Sequence, residues 1–133
     1  MAQTDNSKKE KLHILIADDV QETRRNTRLM IATMDNVEVT AIASNGLQAV
    51  EMTKEYRPDI VILDMNMPNY DGAYALEKIK QDYPDAKIVV VTGFTNYTFE
   101  KEQADAIFTK PYDLEPFIDT VNKIALATPT IVK

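Results

Sequence analysis

Five short apolar runs, each closed by a polar or charged stop, punctuate the chain between Leu12 and Thr109. Leu12 to Ala17 ends abruptly in Asp18-Asp19, and Val37 to Ala43 is β-branched and apolar. Asp59 opens a third run, Ile60-Val61-Ile62-Leu63, which stops at Asp64. Lys87 to Thr92 (KIVVVT) is the most strand-like segment, and Ala106 to Thr109 leads into Lys110-Pro111. Continuous apolar character, rather than alternation, marks strands covered on both faces. Between these runs the period changes to that of a helix. Thr23 to Met34 places Thr27, Met30, Ile31 and Met34 on one face. Ser44 is expected to cap a helix carrying Leu47, Val50 and the stem of Tyr56, halted by Pro58. Ala73 to Gln81 aligns Ala73, Leu76 and Ile79, and Leu114, Phe117, Ile118, Val121 and Ile124 form a strongly amphipathic final helix. Alternating strands and helices predict an α/β fold: a doubly wound, five-stranded parallel sheet with right-handed crossovers.

Composition narrows the chemistry. With 133 residues, 44% hydrophobic and 27% charged, the chain suits one globular domain and not a disordered segment. The absence of cysteine rules out disulfides, thiol nucleophiles and thiolate metal sites, and a single histidine excludes a multi-histidine site. His13 lies inside the first run and reads as an edge or core-margin side chain. A net charge of −6 argues against nucleic acid and anionic membranes as partners. No apolar run approaches the roughly 20 residues that cross a bilayer, and the polar start lacks a signal sequence. The expectation is a cytoplasmic domain over residues 12–127 with tails at 1–11 and 128–133. Three glycines supply neither a dinucleotide fingerprint nor a phosphate-binding loop.

In a doubly wound sheet, ligands bind beyond the carboxyl ends of the strands. Those ends carry Asp18-Asp19, Asp64, Thr92 and Lys110 after the first, third, fourth and fifth strands. Carboxylates brought together there repel by roughly 4 kcal/mol per pair at about 4 Å and an effective dielectric of about 20. One lysine offsets only one of those charges. A divalent cation is the natural remedy, and an all-oxygen set selects Mg2+, with Mn2+ as a substitute, over zinc. A cation so held is a template for phosphoryl transfer, and a carboxylate is a competent acceptor. Thr92 and Lys110 are suited to phosphoryl oxygens.

These residues resemble the receiver domains of two-component response regulators. The likeness rests on Asp18-Asp19, the LDMNMP segment around Asp64, Asp71-Gly72, Thr92-Gly93 and Lys110-Pro111, and spans about Leu12 to Ala127. It implies a flavodoxin-like fold with strand order 2-1-3-4-5 and a cis Lys110-Pro111 peptide. It also implies that Asp64 accepts a phosphoryl group from a histidine kinase or phosphotransfer protein. Asp19, Asp64 and the backbone carbonyl of Asn66 would ligate Mg2+, Asp18 would act through water, and Thr92 and Lys110 would contact the phosphoryl group. The chain would be a signalling switch and not a turnover enzyme, acting on a downstream protein or a dimer partner. Arg24, Arg25 and Arg28 form a basic stripe on the first helix, a solvated face that in receivers commonly meets the phosphodonor. Nothing but Thr128 to Lys133 follows the last helix, so a stand-alone receiver or a piece of a longer chain is expected.

Two features depart from the family pattern. Ile107 occupies the place of the usual switch aromatic, three residues before Lys110, and Phe108 beside it must point to the opposite face. Only 18 positions separate Thr92 from Lys110, and GFTNYTFEKEQ lacks an apolar stripe. The helix between the fourth and fifth strands is therefore expected to be shortened or irregular. Asn66 and Phe94, two residues beyond Asp64 and Thr92, would flank the phosphoryl group, Phe94 shielding it from water. The alternative reading is a receiver-like interaction module that does not use phosphorylation. A third, a Mg2+-dependent hydrolase with an aspartyl-phosphate intermediate, lacks loops long enough to form a substrate cap.

Overall fold

A computed structural model of the protein describes residues 11–93 and 103–128. The elements run β1 (Leu12–Ala17), α1 (Gln21–Ala32), β2 (Val37–Ala43), α2 (Gly46–Tyr56), β3 (Ile60–Asp64), α3 (Gly72–Asp82), β4 (Lys87–Thr92), β5 (Ala106–Thr109) and α4 (Leu114–Ala127). The five strands form one parallel sheet in the order β2-β1-β3-β4-β5. Fold class and strand order are those expected. The shortened helix after Thr92, together with Phe94, lies outside the described residues, as do the expected tails apart from Lys11 and Thr128.

Strand periodicity sorts the apolar side chains into two cores. Leu15, Ala17, Val61, Leu63, Ile88 and Val90 face one side with Ala75, Leu76 and Ile79 of α3. Their neighbours Ile14, Ile16, Ile60, Ile62, Val89 and Val91 face the other, with Ile31 of α1 and Phe117 and Val121 of α4. Covering both faces excludes water from the centre of the sheet, so β3 is buried from end to end, its terminal Asp64 included, while the edge strands β2 and β5 stay partly exposed. His13 is a core-margin side chain on an internal strand, not an edge strand, 3.6 Å from Glu38.

Helix starts differ locally from the sequence expectation. The first helix begins at Gln21, two residues early, and ends at Ala32 rather than Met34. The early start follows a turn in which the Asp18 carboxylate accepts from the Val20 N–H at 2.9 Å. Asn45, not Ser44, caps α2: its side chain accepts from the Gln48 N–H at 2.8 Å. Ser44 instead donates its N–H and hydroxyl to the Gln48 side chain, both at 2.9 Å. Both residues are good caps, so chain order alone could not separate them.

The start of β5 is pinned by Asp105, whose carboxylate accepts from the Ile88 N–H at 2.7 Å and from Lys80 Nζ at 3.0 Å. Asp105→Ala leaves the Ile88 N–H without that acceptor at a fully buried residue. The expected loss is about 1–3 kcal/mol of stability. Thermal unfolding checks this, and a Tm unchanged within about 2 °C would contradict it.

Candidate functional site

The direction of every strand carries its C-terminal residue to one rim of the sheet. At the centre of that rim β1 and β3 are adjacent, because the chain leaves β1 towards β2 on one side and returns to β3 on the other. Asp18 and Asp19 follow β1, Asp64 ends β3, Thr92 ends β4 and Lys110 follows β5.

Carboxylate oxygens of Asp18, Asp19 and Asp64 lie within 4.8 Å of one another. Asp64 is only 4% exposed and Asp18 5%, whereas Asp19 faces solvent. Each buried acid is held by its own loop: Asp64 Oδ1 accepts from the Asn66 N–H at 3.1 Å, and Asp18 Oδ1 from the Val20 N–H. Their second oxygens share a cation, Lys110 Nζ lying 3.6 Å from Asp18 Oδ2 and 3.5 Å from Asp64 Oδ2. The Lys110 backbone is fixed to the neighbouring strand, its N–H donating to the Thr92 carbonyl at 2.7 Å. Thr92 itself is buried at the end of β4. The Lys110-Pro111 peptide is cis, as expected.

Burial lifts the Asp64 carboxyl above the usual carboxylate range. The Asn66 N–H opposes this, Asp18 adds to it, Lys110 opposes it, and Asp19 adds again. Three acids against one lysine leave the pocket with excess negative charge. Hard oxygen donors at this spacing fit Mg2+ or Mn2+, which favour carboxylate, carbonyl and water ligands. No other group of three or more potential ligands among the described residues comes together in this way.

The loop after Asp64 is secured from behind. Asn69 and Tyr70 both take the left-handed conformation, with φ of 52° and 71°. The turn they make presents the Tyr70 carbonyl to the Gly46 N–H at 2.6 Å. A Cβ at Gly46 would meet that same carbonyl oxygen and its neighbour at Asp71, so only glycine allows the approach. Asp71 then caps α3 by accepting from the Tyr74 N–H at 3.0 Å.

These features match known proteins over most of the chain. The response regulator receiver domain profile covers residues 14–122. The chain belongs to the response regulator receiver family. It is 37% identical over 114 residues to chemotaxis protein CheY of Bacillus subtilis (strain 168), covering 83% of this chain and 94% of that protein. It is 36% identical over 107 residues to the transcriptional regulatory protein YhcZ of the same organism, covering 79% of this chain. The match spans 50% of YhcZ, so the chain corresponds to about half the length of that regulator. A receiver domain protein from Methanospirillum hungatei JF-1 has the same fold, with a TM-score of 0.81 at 22% identity over 89% of this chain and 96% of that one. Receiver domains are signalling switches of two-component systems that interact with kinases and downstream partners, and they generally bind Mg2+ at an acidic pocket.

Against that background, the receiver's departures are concrete. Ile107 packs towards the α2–α3 core, and Phe108 packs on the other side of the sheet against Phe117, ring centroids 5.4 Å apart. The opposite-face expectation is thus met. Two residues of the pocket's surroundings were not legible from motifs. Arg24 donates from its guanidinium to the Asp18 carbonyl at 2.7 Å, so one arginine of the stripe braces the acidic loop. Its position six residues after Asp18, on the first turns of α1, was the available signal. Tyr112 is the second, an aromatic two residues beyond Lys110 whose ring packs against Phe108 and Phe117, centroids 5.7 and 5.0 Å away.

Proposed function

We propose that the receiver takes a phosphoryl group onto Asp64 from a histidine kinase or phosphotransfer protein, in a Mg2+-dependent reaction. The observation that carries this reading is a buried carboxylate at the sheet's central rim, 3.5 Å from Lys110 Nζ and clustered with Asp18 and Asp19. In the transfer, an Asp64 oxygen attacks phosphorus while the phosphorus–nitrogen bond of the donor phosphohistidine breaks. The imidazole leaves with the electron pair and takes a proton, and Asp64 becomes an acyl phosphate. Hydrolysis later returns inorganic phosphate and the free carboxylate. Asp19, Asp64 and the Asn66 backbone carbonyl would hold Mg2+, with Asp18 acting through water. The bound ion supplies positive charge that offsets the acids and the entering phosphoryl oxygens.

The protein's own groups account for the remainder. The Asn66 N–H fixes the rotamer of Asp64, leaving its other oxygen towards Lys110. Lys110 and Thr92 would bind the phosphoryl oxygens, trading the lysine's present contacts for a group of about −2 charge. The functional unit would be residues 12–127, in the cytoplasm, with a downstream protein or a second receiver as its target.

Incubation with Mg2+ and a small acyl-phosphate donor, followed by intact mass, tests the reading. One adduct of about 80 Da, the mass of a phosphoryl group, is expected on Asp64, and chelation of divalent ions is expected to abolish it. No adduct at millimolar Mg2+ would overturn the proposal in favour of a phosphorylation-independent interaction module, a role in keeping with Ile107 at the aromatic position.

A further inference from the structure

Asp18 and Asp19 are held in different ways. Asp18 is buried and tied on three sides: its N–H donates to the Ala43 carbonyl at 3.0 Å, its Oδ1 accepts from the Val20 N–H, and its Oδ2 faces Lys110. Asp19 faces solvent, so packing does not hold its carboxylate at the pocket. Its place at the rim is set by the backbone that carries it, and first by the peptide that joins it to Asp18. A peptide unit is a rigid plane, so whatever fixes the Asp18 carbonyl also fixes the N–H and Cα of Asp19.

That carbonyl is where Arg24 binds, its Nη1 donating at 2.7 Å. The separation is that of a charge-assisted hydrogen bond and is shorter than either contact of Lys110. Arg24 is the fourth residue of α1, and its own N–H donates to the Val20 carbonyl at 3.0 Å. Acidic pair, turn and helix start therefore close into one unit. Helix electrostatics do not account for the arginine, because the N-terminal end of a helix favours anions and disfavours a cation. Nor does Arg24 behave like the rest of its stripe. It is half-buried and reaches back six residues, whereas Arg25 and Arg28 are exposed. A guanidinium is a flat, pre-organised fork, suited to a directed bond of this kind.

We propose that Arg24 is a positioning residue for Asp19: its guanidinium locks the Asp18–Asp19 peptide and so holds the solvent-facing carboxylate beside Asp64, where the two can share a divalent cation. The consequence for metal affinity rests on the Mg2+ reading of the pocket; the lock on the peptide does not. Position and charge pull in opposite directions here. A fixed cation beside three acids competes with Mg2+, so removing its charge alone would tighten metal binding. Removing a brace behind a ligand weakens it, commonly by about 10- to 100-fold.

The test compares Arg24→Gln with Arg25→Gln in the full chain. Each loses one positive charge, and only the first loses the bond to the Asp18 carbonyl. By calorimetry, the Mg2+ Kd should rise at least about 10-fold in Arg24→Gln and should not rise in Arg25→Gln. Backbone amide relaxation in Mg2+-free solution should show the Asp19 order parameter falling from about 0.85 to below about 0.6 in Arg24→Gln alone. A loss of global stability would change neither quantity in the folded protein. Mg2+ bound by Arg24→Gln as tightly as by the parent, or more tightly, overturns the proposal, and so does an equal weakening in Arg25→Gln. An Asp19 amide as rigid in Arg24→Gln as in the parent overturns it whatever the affinity. If the parent itself binds no Mg2+, the metal reading of the pocket fails, and the Asp19 amide still decides the lock.

Discussion

Asp64→Asn is expected to abolish the phosphoryl adduct completely and, at the same time, to make the metal-free protein more stable. On the proposed phosphoacceptor role of Asp64, the loss of labelling follows from replacing its carboxylate with an amide that cannot form the acyl phosphate. The gain in stability follows from what the carboxylate endures when folded. Burial, with Asp18 and Asp19, holds the Asp64 proton more tightly in the native state than in the unfolded chain. A carboxyl raised in this way costs stability above its folded pKa and costs nothing below the unfolded value of about 3.9. Stability of the parent protein therefore falls as pH rises through that window, and the asparagine variant lacks this component. In the presence of a chelator at neutral pH, the Tm of the variant should exceed that of the parent. The difference between variant and parent should shrink towards acid pH. It should also shrink when Mg2+ is added, because a ligand bound only by the native parent stabilises it. A Tm difference that grows on acidification would contradict the account.

The second large effect is structural and lies directly behind the acid. Gly72 opens α3, and its N–H donates to the Met65 carbonyl at 3.2 Å. A Cβ there would collide with the Asp64 carbonyl oxygen and stand 2.6 Å from Met65 Cα. Both are backbone atoms, one of them at the end of a fully buried strand, so neither can step aside as a flexible side chain would. Gly72→Ala is expected to reach or exceed the upper end of the usual overpacking cost, about 3 kcal/mol, and to lower Tm by about 10 °C. Relief of the clash must push α3 away or shift Asp64, so labelling should slow well beyond what the fraction unfolded explains. Calorimetry together with labelling of the folded fraction measures both; a Tm within about 3 °C of the parent would show that the helix start yields easily.

How much of this could be read from the chain depends on the kind of information involved. The strands were legible because a sheet buried on both faces demands unbroken apolar runs, and β4 and β5 begin and end where those runs do. The acidic pocket was legible because parallel strands carry each run's polar stop to the same rim. Asp18, Asp19, Asp64 and Lys110 accordingly meet from three separate parts of the sequence. What was hidden was settled by competition among neighbours or by distant packing. Ser44 and Asn45 are nearly equivalent as caps, and the Gln48 side chain decides between them. The packing of Tyr112 against Phe108 and Phe117 joins positions with no shared local pattern, so no periodicity announces it. The same holds for Arg24, which reads as one of three surface arginines until its guanidinium is placed on the Asp18 carbonyl.

The unequal anchoring of the opposing charges has a further consequence. Asp64 ends, and Asp18 directly follows, a strand with neighbours on each side, whereas the lysine follows a four-residue edge strand paired only to β4. Brief fraying of that margin would carry away the counter-charge while leaving the acids in register, so such excursions raise the pocket's appetite for cations without any global unfolding.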